Sequence, residues 1–437
     1  MNNKKIISLL MSVISTFAAC AMASCDFSAE KTKTEEPTNI VLNDFETFEE
    51  DFLTIRPLNN FGKININYDK EYVKFGKASA KIEASSGTFE TPKPTMILPT
   101  YSTRFSYDYK DFSKTEKVSV WLYNAEEKEL SVGLGLQIGK WVSGQWWDRV
   151  DRSTPLYYEL KSGWNYIEYV VDLTYLAYQG QANIKNIHGL FFEFEYCSQF
   201  ADVPVIYMDD LRLHLSKTEI TGSEYEIKAD TQKGVWEIAD FEDERQGMFM
   251  YMRNYSEGET LRMNARVVNA SKHNTTAKSG NNVLELTMHA GSGNGWPRAT
   301  LSSKVLAKVI EKIGQDFVEH PENYQISFDY YNASPVEHSL AIVYDNEAMT
   351  TTLNPWQNIK CAPYTWSTYT ISITKINNTL AGAVESGYLK EGYTADDLKC
   401  EKYPVNIVFS GSAFASANDT RDRYYLIDNI RIEKVNG

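Results

Sequence analysis

Val118-Ser119-Val120-Trp121-Leu122-Tyr123-Asn124-Ala125 recurs further along the chain as Ile326-Ser327-Phe328-Asp329-Tyr330-Tyr331-Asn332-Ala333. Both phrases carry apolar residues at every second position, the period of a strand that buries one face. Working outward, Glu129 and Ser131 fall opposite Glu337 and Ser339. Gly76 and Gly280 each precede a strand-like run, Ala78 to Ile82 and Val283 to Met288. A Trp leads a later alternating strand in each half, Trp164 to Val171 and Trp366 to Ile373. The outer limits match as well. Asp44-Phe45-Glu46 opens a block that Asp209-Asp210-Leu211-Arg212-Leu213 closes, and Asp240-Phe241-Glu242 opens one that Asp428-Asn429-Ile430-Arg431-Ile432 closes. Phrases in one order, twice, mean two copies of a domain, and two long copies argue against a solenoid.

The remaining strand signals repeat in series. Lys117 to Asn124, Leu130 to Ile138, Tyr166 to Leu173, Leu190 to Tyr196 and Val205 to Leu213 are short aromatic or β-branched runs. Gln325 to Tyr331, Ser339 to Tyr344, Thr368 to Thr374, Val405 to Ser410 and Tyr424 to Ile432 are their counterparts. Many short strands without intervening helices predict an all-β chain of two tandem antiparallel β-sandwich (jelly-roll) domains. Helical spacing is clear only at Val305, Leu306, Val309, Ile310 and Ile313, with Gly314 as a stop, which predicts a short helical insertion in the second sandwich. The expected domains are residues 40–216 and 235–437, joined by a polar linker over 217–234. Trp164 and Trp366, recurring at matched strand positions, are expected in the core.

Residues 1–24 read as an export signal: Lys4 and Lys5, then an apolar run from Ile6 to Ala23 with small residues near its end. Met22-Ala23-Ser24-Cys25 resembles the lipobox of bacterial lipoproteins, with Met at the usual Leu position, which would make Cys25 the lipidated mature N-terminus. Phe17-Ala18-Ala19-Cys20 is a poorer competing site, and plain secretion is the alternative. Residues 25–39 are then the lipidated Cys and a flexible tether rich in Thr, Glu and Lys. Asp26 and Glu30 resemble the acidic surface-export signals of Bacteroidetes lipoproteins.

Net charge is −14, and removing residues 1–24 with their two lysines and no acids brings it to −16. An acidic chain without a basic stripe speaks against nucleic acid, and against an electrostatic grip on anionic lipid, leaving the lipid as the membrane link. It also disfavours highly sulfated or uronic-acid polymers. The 28 Tyr and nine Trp suit both strands and contact surfaces. Cys361 and Cys400 share the second block and either pair, leaving Cys197 odd, or stay free; spacing does not decide.

The Phe-Glu opening strand, Gly-led second strand, Trp-led later strand and terminal Asp-[Asp/Asn]-[Leu/Ile]-Arg strand resemble β-sandwich carbohydrate-binding modules with a galactose-binding-like jelly roll. With the lipoprotein start, the chain resembles a Bacteroidetes surface glycan-binding lipoprotein of a polysaccharide-utilisation system. That resemblance implies a protein anchored in the outer membrane and facing outward. It would bind poly- or oligosaccharide and hand it to a transporter or glycanase of the same system. It also implies a structural calcium ion where the first and last strands meet. By motif position the ligands would be Glu46 with Asp209 and Glu242 with Asp428, and Asp44 and Asp240 are weaker candidates. The competing reading is that these carboxylates accept backbone N–H groups or pair with nearby arginines.

For glycan contact the richest segment runs from Gly139 to Arg149, where Trp141, Trp146 and Trp147 offer flat faces for sugar stacking. Gln145, Asp148 and Arg149 stand beside them as hydroxyl partners. In the second block the candidates are Trp296 and Arg298 of a glycine-broken loop, and Trp356 of Asn354-Pro355-Trp356-Gln357. Phe249, Tyr251 and Arg253 add to them near the block's start. An enzyme reading finds little. No His-Glu-x-x-His, zinc spacing or Gly-x-Ser-x-Gly elbow occurs. The best carboxylate pair, Glu193 and Glu195, sits on what reads as the wet face of a strand. Non-catalytic glycan binding is therefore expected. The alternatives are a structural or adhesive protein that binds protein partners and, below it, a glycoside hydrolase or polysaccharide lyase.

Overall fold

The computed structural model describes residues 38–47, 56–58, 63–83, 95–102, 107–137, 155–178, 184–194, 204–253, 263–288, 298–350, 357–411 and 423–435. The Trp141–Arg149 cluster, Trp296, Trp356, Glu195, Cys197 and Cys25 lie outside them. Residues 39–437 form one compact unit.

The chain is all-β at its centre, with four principal antiparallel sheets. In the first block one sheet runs in the order Gly163–Val170, Thr115–Asn124, Val205–Leu215, Ser79–Glu83, Lys63–Asn67, with Asn39–Asn43 also pairing to Val205–Leu215. The facing sheet runs Leu156–Leu160, Leu130–Gln137, Gly189–Phe194, Thr95–Pro99, Arg56–Leu58. The second block repeats both orders. Its first sheet is Trp366–Ser372, Tyr324–Asn332, Arg423–Lys434, Asn282–Met288, Met263–Asn269, with Val235–Ala239 on Arg423–Lys434. Its second sheet is Gln357–Cys361, His338–Asp345, Asn406–Gly411, Arg298–Leu301, Met250–Arg253. No strand pairing crosses between the blocks among the described residues.

The recurring phrase explains much of this agreement. Val118, Val120 and Leu122 point into the first sandwich, and Ile326, Phe328 and Tyr330 into the second; all are buried. Asn124 and Asn332, which end the phrase, are buried and work alike. The Asn124 carboxamide donates to the carbonyls of Lys128 and Leu160 at 2.8 and 3.0 Å, and its oxygen accepts the Glu126 N–H at 2.9 Å. Asn332 donates to Val336 and Cys361, each at 2.8 Å, and accepts the Ser334 N–H at 3.0 Å. Each Asn thus closes the loop after its strand and ties it to the opposite sheet, satisfying groups that burial would otherwise leave costly.

Two expectations need correction, and one open alternative is resolved. Trp164 and Trp366 are half-buried, not core. They stand in register with Tyr123 and Tyr331, whose parity turns them away from the facing sheet. There they form satellite clusters on the outer face, with ring centroids 5.3 Å apart in both blocks. The helical reading captured Ser303–Ile313, capped by Ser302 and stopped at Gly314, but missed Ile373–Glu385, which buries Ile373, Ile376, Leu380 and Ala383 on one face. Cys361 and Cys400 are free, buried thiols, not a disulfide, and burial pushes both up to about 12.

The polar segment between the blocks is packed. Tyr175, on the short helix Leu173–Tyr178, stacks on Phe249 of the second block at 5.3 Å and 7°, with Tyr225 edge-on to both rings. Arg245 holds Asp243 through two nitrogens and reaches Asp172 at 3.1 Å. Ser223 donates its amide to Asp172, and the Tyr225 hydroxyl donates to the Ile238 carbonyl at 2.7 Å. Phe249 is thus spent on the seam and is not a ligand contact.

Candidate functional site

The carboxylates that open and close each block meet on one loop. In the first block the amides of Lys74 and Phe75 donate to Asp209 Oδ2 at 2.8 and 3.0 Å. Those of Lys77 and Ala78 donate to Glu46 Oε1 at 2.7 and 3.3 Å. In the second, Lys278 and Ser279 donate to Asp428 Oδ2 at 2.6 and 2.9 Å, and Asn281 and Asn282 to Glu242 Oε1 at 2.7 and 2.6 Å. Two end strands and an internal loop are thereby pinned by four charge-assisted bonds per block. Burial pushes Asp209 and Asp428 up to about 6, against the pull of their N–H donors. Asp44 and Asp240 stand aside from the loop: each accepts the N–H two residues on, at 3.2 Å, and Asp240 also pairs with Lys228.

The backbone around this cradle is strained in the same places twice. Phe45 and Phe241 have φ of 56° and 58°, and Asp210 and Asn429 of 54° and 52°. Asp and Asn tolerate the left-handed region, which explains why the closing motif reads Asp-[Asp/Asn]. The central glycine of the loop is also left-handed, Gly76 at 69° and Gly280 at 58°. A Cβ on Gly280 would lie 2.1 Å from Glu242 Cδ, and one on Gly76 1.8 Å from Glu46 Oε1. Gly280→Ala is therefore expected to cost about 2 kcal/mol or more, because it adds left-handed strain and pushes Glu242 off its donors. Gly387→Ala, at φ 71° with open space around it, carries the strain alone and should cost less. Chemical denaturation of the two variants checks the order.

The fit of a calcium ion is mixed. The cradle carboxylates already accept inward-turned N–H groups, whereas a hard cation wants about six to eight oxygens. Among the described residues no group of three or more His, Cys, Asp or Glu side chains is placed to hold a metal. Among the described cradle atoms, Asp428 Oδ1 suits a cation, being buried without a hydrogen-bond partner.

Of the sequence-predicted glycan contacts outside the Met248–Tyr255 segment, Arg298 is the one described. It starts the strand Arg298–Leu301 opposite Ser410 and is buried, rather than standing on an exposed loop. Glu193 is likewise buried, not wet, and accepts the Tyr157 hydroxyl at 2.5 Å.

Sequence reading passed over a surface that the structure assembles on the first block. Register places Tyr166 beside Trp121 and Trp164 beside Tyr123, with Tyr207 next to Tyr123 on the other side. Tyr72 stacks on Tyr207 at 4.3 Å and 7°. The Lys74 ammonium lies 3.9 Å above the Trp121 ring, and Phe75 meets that ring edge-on at 6.4 Å. Asp209 holds the Lys74 and Phe75 amides, so the cradle sets the position of the loop that carries these side chains. The signal was visible as outward parity in the recurring phrase, Trp121 and Tyr123 alternating with Val120 and Leu122.

Two blocks of two facing sheets each, in one strand order, define a tandem antiparallel β-sandwich protein. Residues 234–434, which span the second block from Val235–Ala239 to Arg423–Lys434, match the family model of the surface glycan-binding protein B xyloglucan-binding domain. The resemblance to glycan-binding β-sandwich domains read from the sequence is borne out over that block. Among solved structures, the N-terminal CBM22-1-CBM22-2 tandem domain of Paenibacillus barcinonensis Xyn10C is similar over 91% of this chain and 98% of its own, at 12% identity and a TM-score of 0.27. The family 11 carbohydrate-binding module of a Clostridium thermocellum cellulosomal cellulase is similar over 41% of this chain and 95% of its own, at 15% identity and a TM-score of 0.27. At these values no ligand is transferred from either. No curated protein matches the chain. No helix among the described residues is long and apolar enough to cross a membrane.

Proposed function

We propose that this protein captures polysaccharide at the cell surface without cleaving it. The observation that carries the reading is the match of residues 234–434 to the xyloglucan-binding domain family. The acidic charge, −14 over the chain, favours a neutral polymer such as xyloglucan over an anionic one. Contact would come from Trp296 and Trp356 in the second block, with the buried Arg298 behind them, and from Trp141, Gln145, Trp146, Trp147, Asp148 and Arg149 in the first. Two sites on one chain would reinforce each other through effective concentration. Cys25 would carry the lipid that holds the protein on the outer membrane, beside the transporter or glycanase that takes the captured chain. A calcium ion, held by Asp428 and Glu242 or by Asp209 and Glu46, would serve the fold rather than the ligand.

The test is a pull-down of the chain against neutral and acidic polysaccharides, with calcium and with chelator, followed by sizing of the glycan. The Trp146→Ala/Trp147→Ala and Trp296→Ala/Trp356→Ala variants run beside it. Retention on a neutral polymer that stays intact and is weakened by the variants is expected. Shortened glycan would replace capture with cleavage, and retention on none would turn the search to protein partners.

A further inference from the structure

The two blocks serve as an internal control for each other: what both carry builds the sandwich, and what one carries alone needs another explanation. Trp164 and Tyr123 recur as Trp366 and Tyr331. Trp121 and Tyr166 do not, since the second block has Asp329 and Thr368 there, hydrogen-bonded at 2.5 Å. Phe75, held by Asp209, becomes Ser279, held by Asp428. The fold thus forms without these three rings. The first block nevertheless leaves Tyr166 46% and Phe75 49% exposed, beside a half-buried Trp121 whose centroid lies 4.9 Å from that of Tyr166. Exposed apolar rings gathered in one patch mark contact surfaces more often than isolated ones do.

Tyr166 has a second neighbour. It lines a cavity of about 500 Å³ at the seam, between Leu156–Leu160 and Gly163–Val170, consecutive strands of the two facing sheets, and the second block's Met263–Asn269 edge. That volume falls within the range of ligand sites, which favour domain interfaces. All three strands end their sheets. The walls mix Tyr158 and Tyr166 with Asn165 and Asn269, giving ring faces and amides together. Of the charges that line it, Lys272 meets Glu159 at 2.5 Å, and Glu244 adds a second acid. Two acids against one lysine speak against an anionic ligand, and the rings and amides suit an uncharged, hydroxyl-rich one with apolar faces.

We infer that an extended glycan subsite runs from Phe75 and Trp121 across Tyr166 into this seam, and that a neutral polysaccharide chain occupies it. Lys74 covers Trp121, so Tyr166 and Phe75 supply the open stacking area and Trp121 backs them. The subsite is separate from the loops named above and is shared by both blocks. It rests on the glycan-binding reading.

The test uses variants that carry the second block's own residues, Tyr166→Thr and Phe75→Ser, in the full chain. Calorimetry with xyloglucan, and with the neutral polymer best retained in the pull-down, is expected to show affinity for long chains lowered roughly threefold to tenfold in each. The thermal midpoint should not move. Short oligosaccharides that fill only the loop sites should bind as before. Unchanged long-chain affinity in both variants, with wild-type binding intact, overturns the subsite and leaves the glycan reading standing. Absence of wild-type binding to any neutral glycan overturns both. Binding of an extended peptide at the seam, lost on Tyr166→Thr, would assign the surface to a protein partner and overturn the inference.

Discussion

Glu285→Gln is expected to destabilise the protein by about 3–5 kcal/mol, the loss that follows when one member of a buried ion pair is removed. Glu285 is 1% exposed and holds Arg266 Nε at 2.6 Å and His273 Nε2 at 2.5 Å. Burial opposes its ionisation, but Arg266 and His273 outweigh burial and hold the carboxyl well below its ordinary value of 4.5. Gln keeps the shape and removes the charge, so the buried Arg266 guanidinium loses the carboxylate at 2.6 Å, with that of Glu159 standing further off at 3.7 Å. At roughly 2–4 °C per kcal/mol for a block of this size, the thermal midpoint should fall by roughly 6–20 °C. Replacing both partners by apolar residues, Arg266→Met with Glu285→Leu, should recover most of it, since the desolvation of two charges is then avoided. The pH dependence has a definite sign. A depressed folded value means that the contribution is present above about pH 4.5 and is lost as pH falls below it. Glu285→Gln should therefore flatten the acid limb of the stability curve, and an unchanged limb would contradict the assignment.

Phe241→Ala should cost about 3–5 kcal/mol, as for other fully buried aromatic rings. Phe241 is 0% exposed at φ 58°, and Phe45 repeats both features. Asp-Phe-Glu is thus three roles in three residues: an acid facing Lys228, a ring plugged into the core, and an acid in the loop cradle. The left-handed backbone is what lets adjacent side chains diverge so sharply. Because glycine takes that backbone without strain, Phe241→Gly should be no worse than Phe241→Ala. At an ordinary buried strand position, such as Phe328, the glycine variant should be clearly the worse of the two. Denaturant midpoints for the four variants decide it.

The repeat was legible because duplicated phrases report duplicated packing. Val118, Val120 and Leu122 and their partners share a face, and the closing Asn is fixed by the bonds it must make. Trp164 and Trp366 misled for a related reason: recurrence marks a structural role, yet parity, not recurrence, decides which face a strand residue takes. Ile373–Glu385 escaped because Asn377, Asn378, Thr379 and Gly382 are poor helix formers, and packing of Ile376 and Leu380 overrides propensity. The end carboxylates were found by motif, but the loop amides that they grip carry no sequence signal, since every residue has an N–H. The Tyr166 surface needs the pairing of distant strands and could be assembled only in three dimensions.

The most direct test of the central claim is a calorimetric titration of the full chain with xyloglucan and other neutral polysaccharides, with the polymer sized afterwards. Saturable binding to a polymer that emerges at its original length is the result this account predicts. No heat and no retention with any neutral polysaccharide would contradict it.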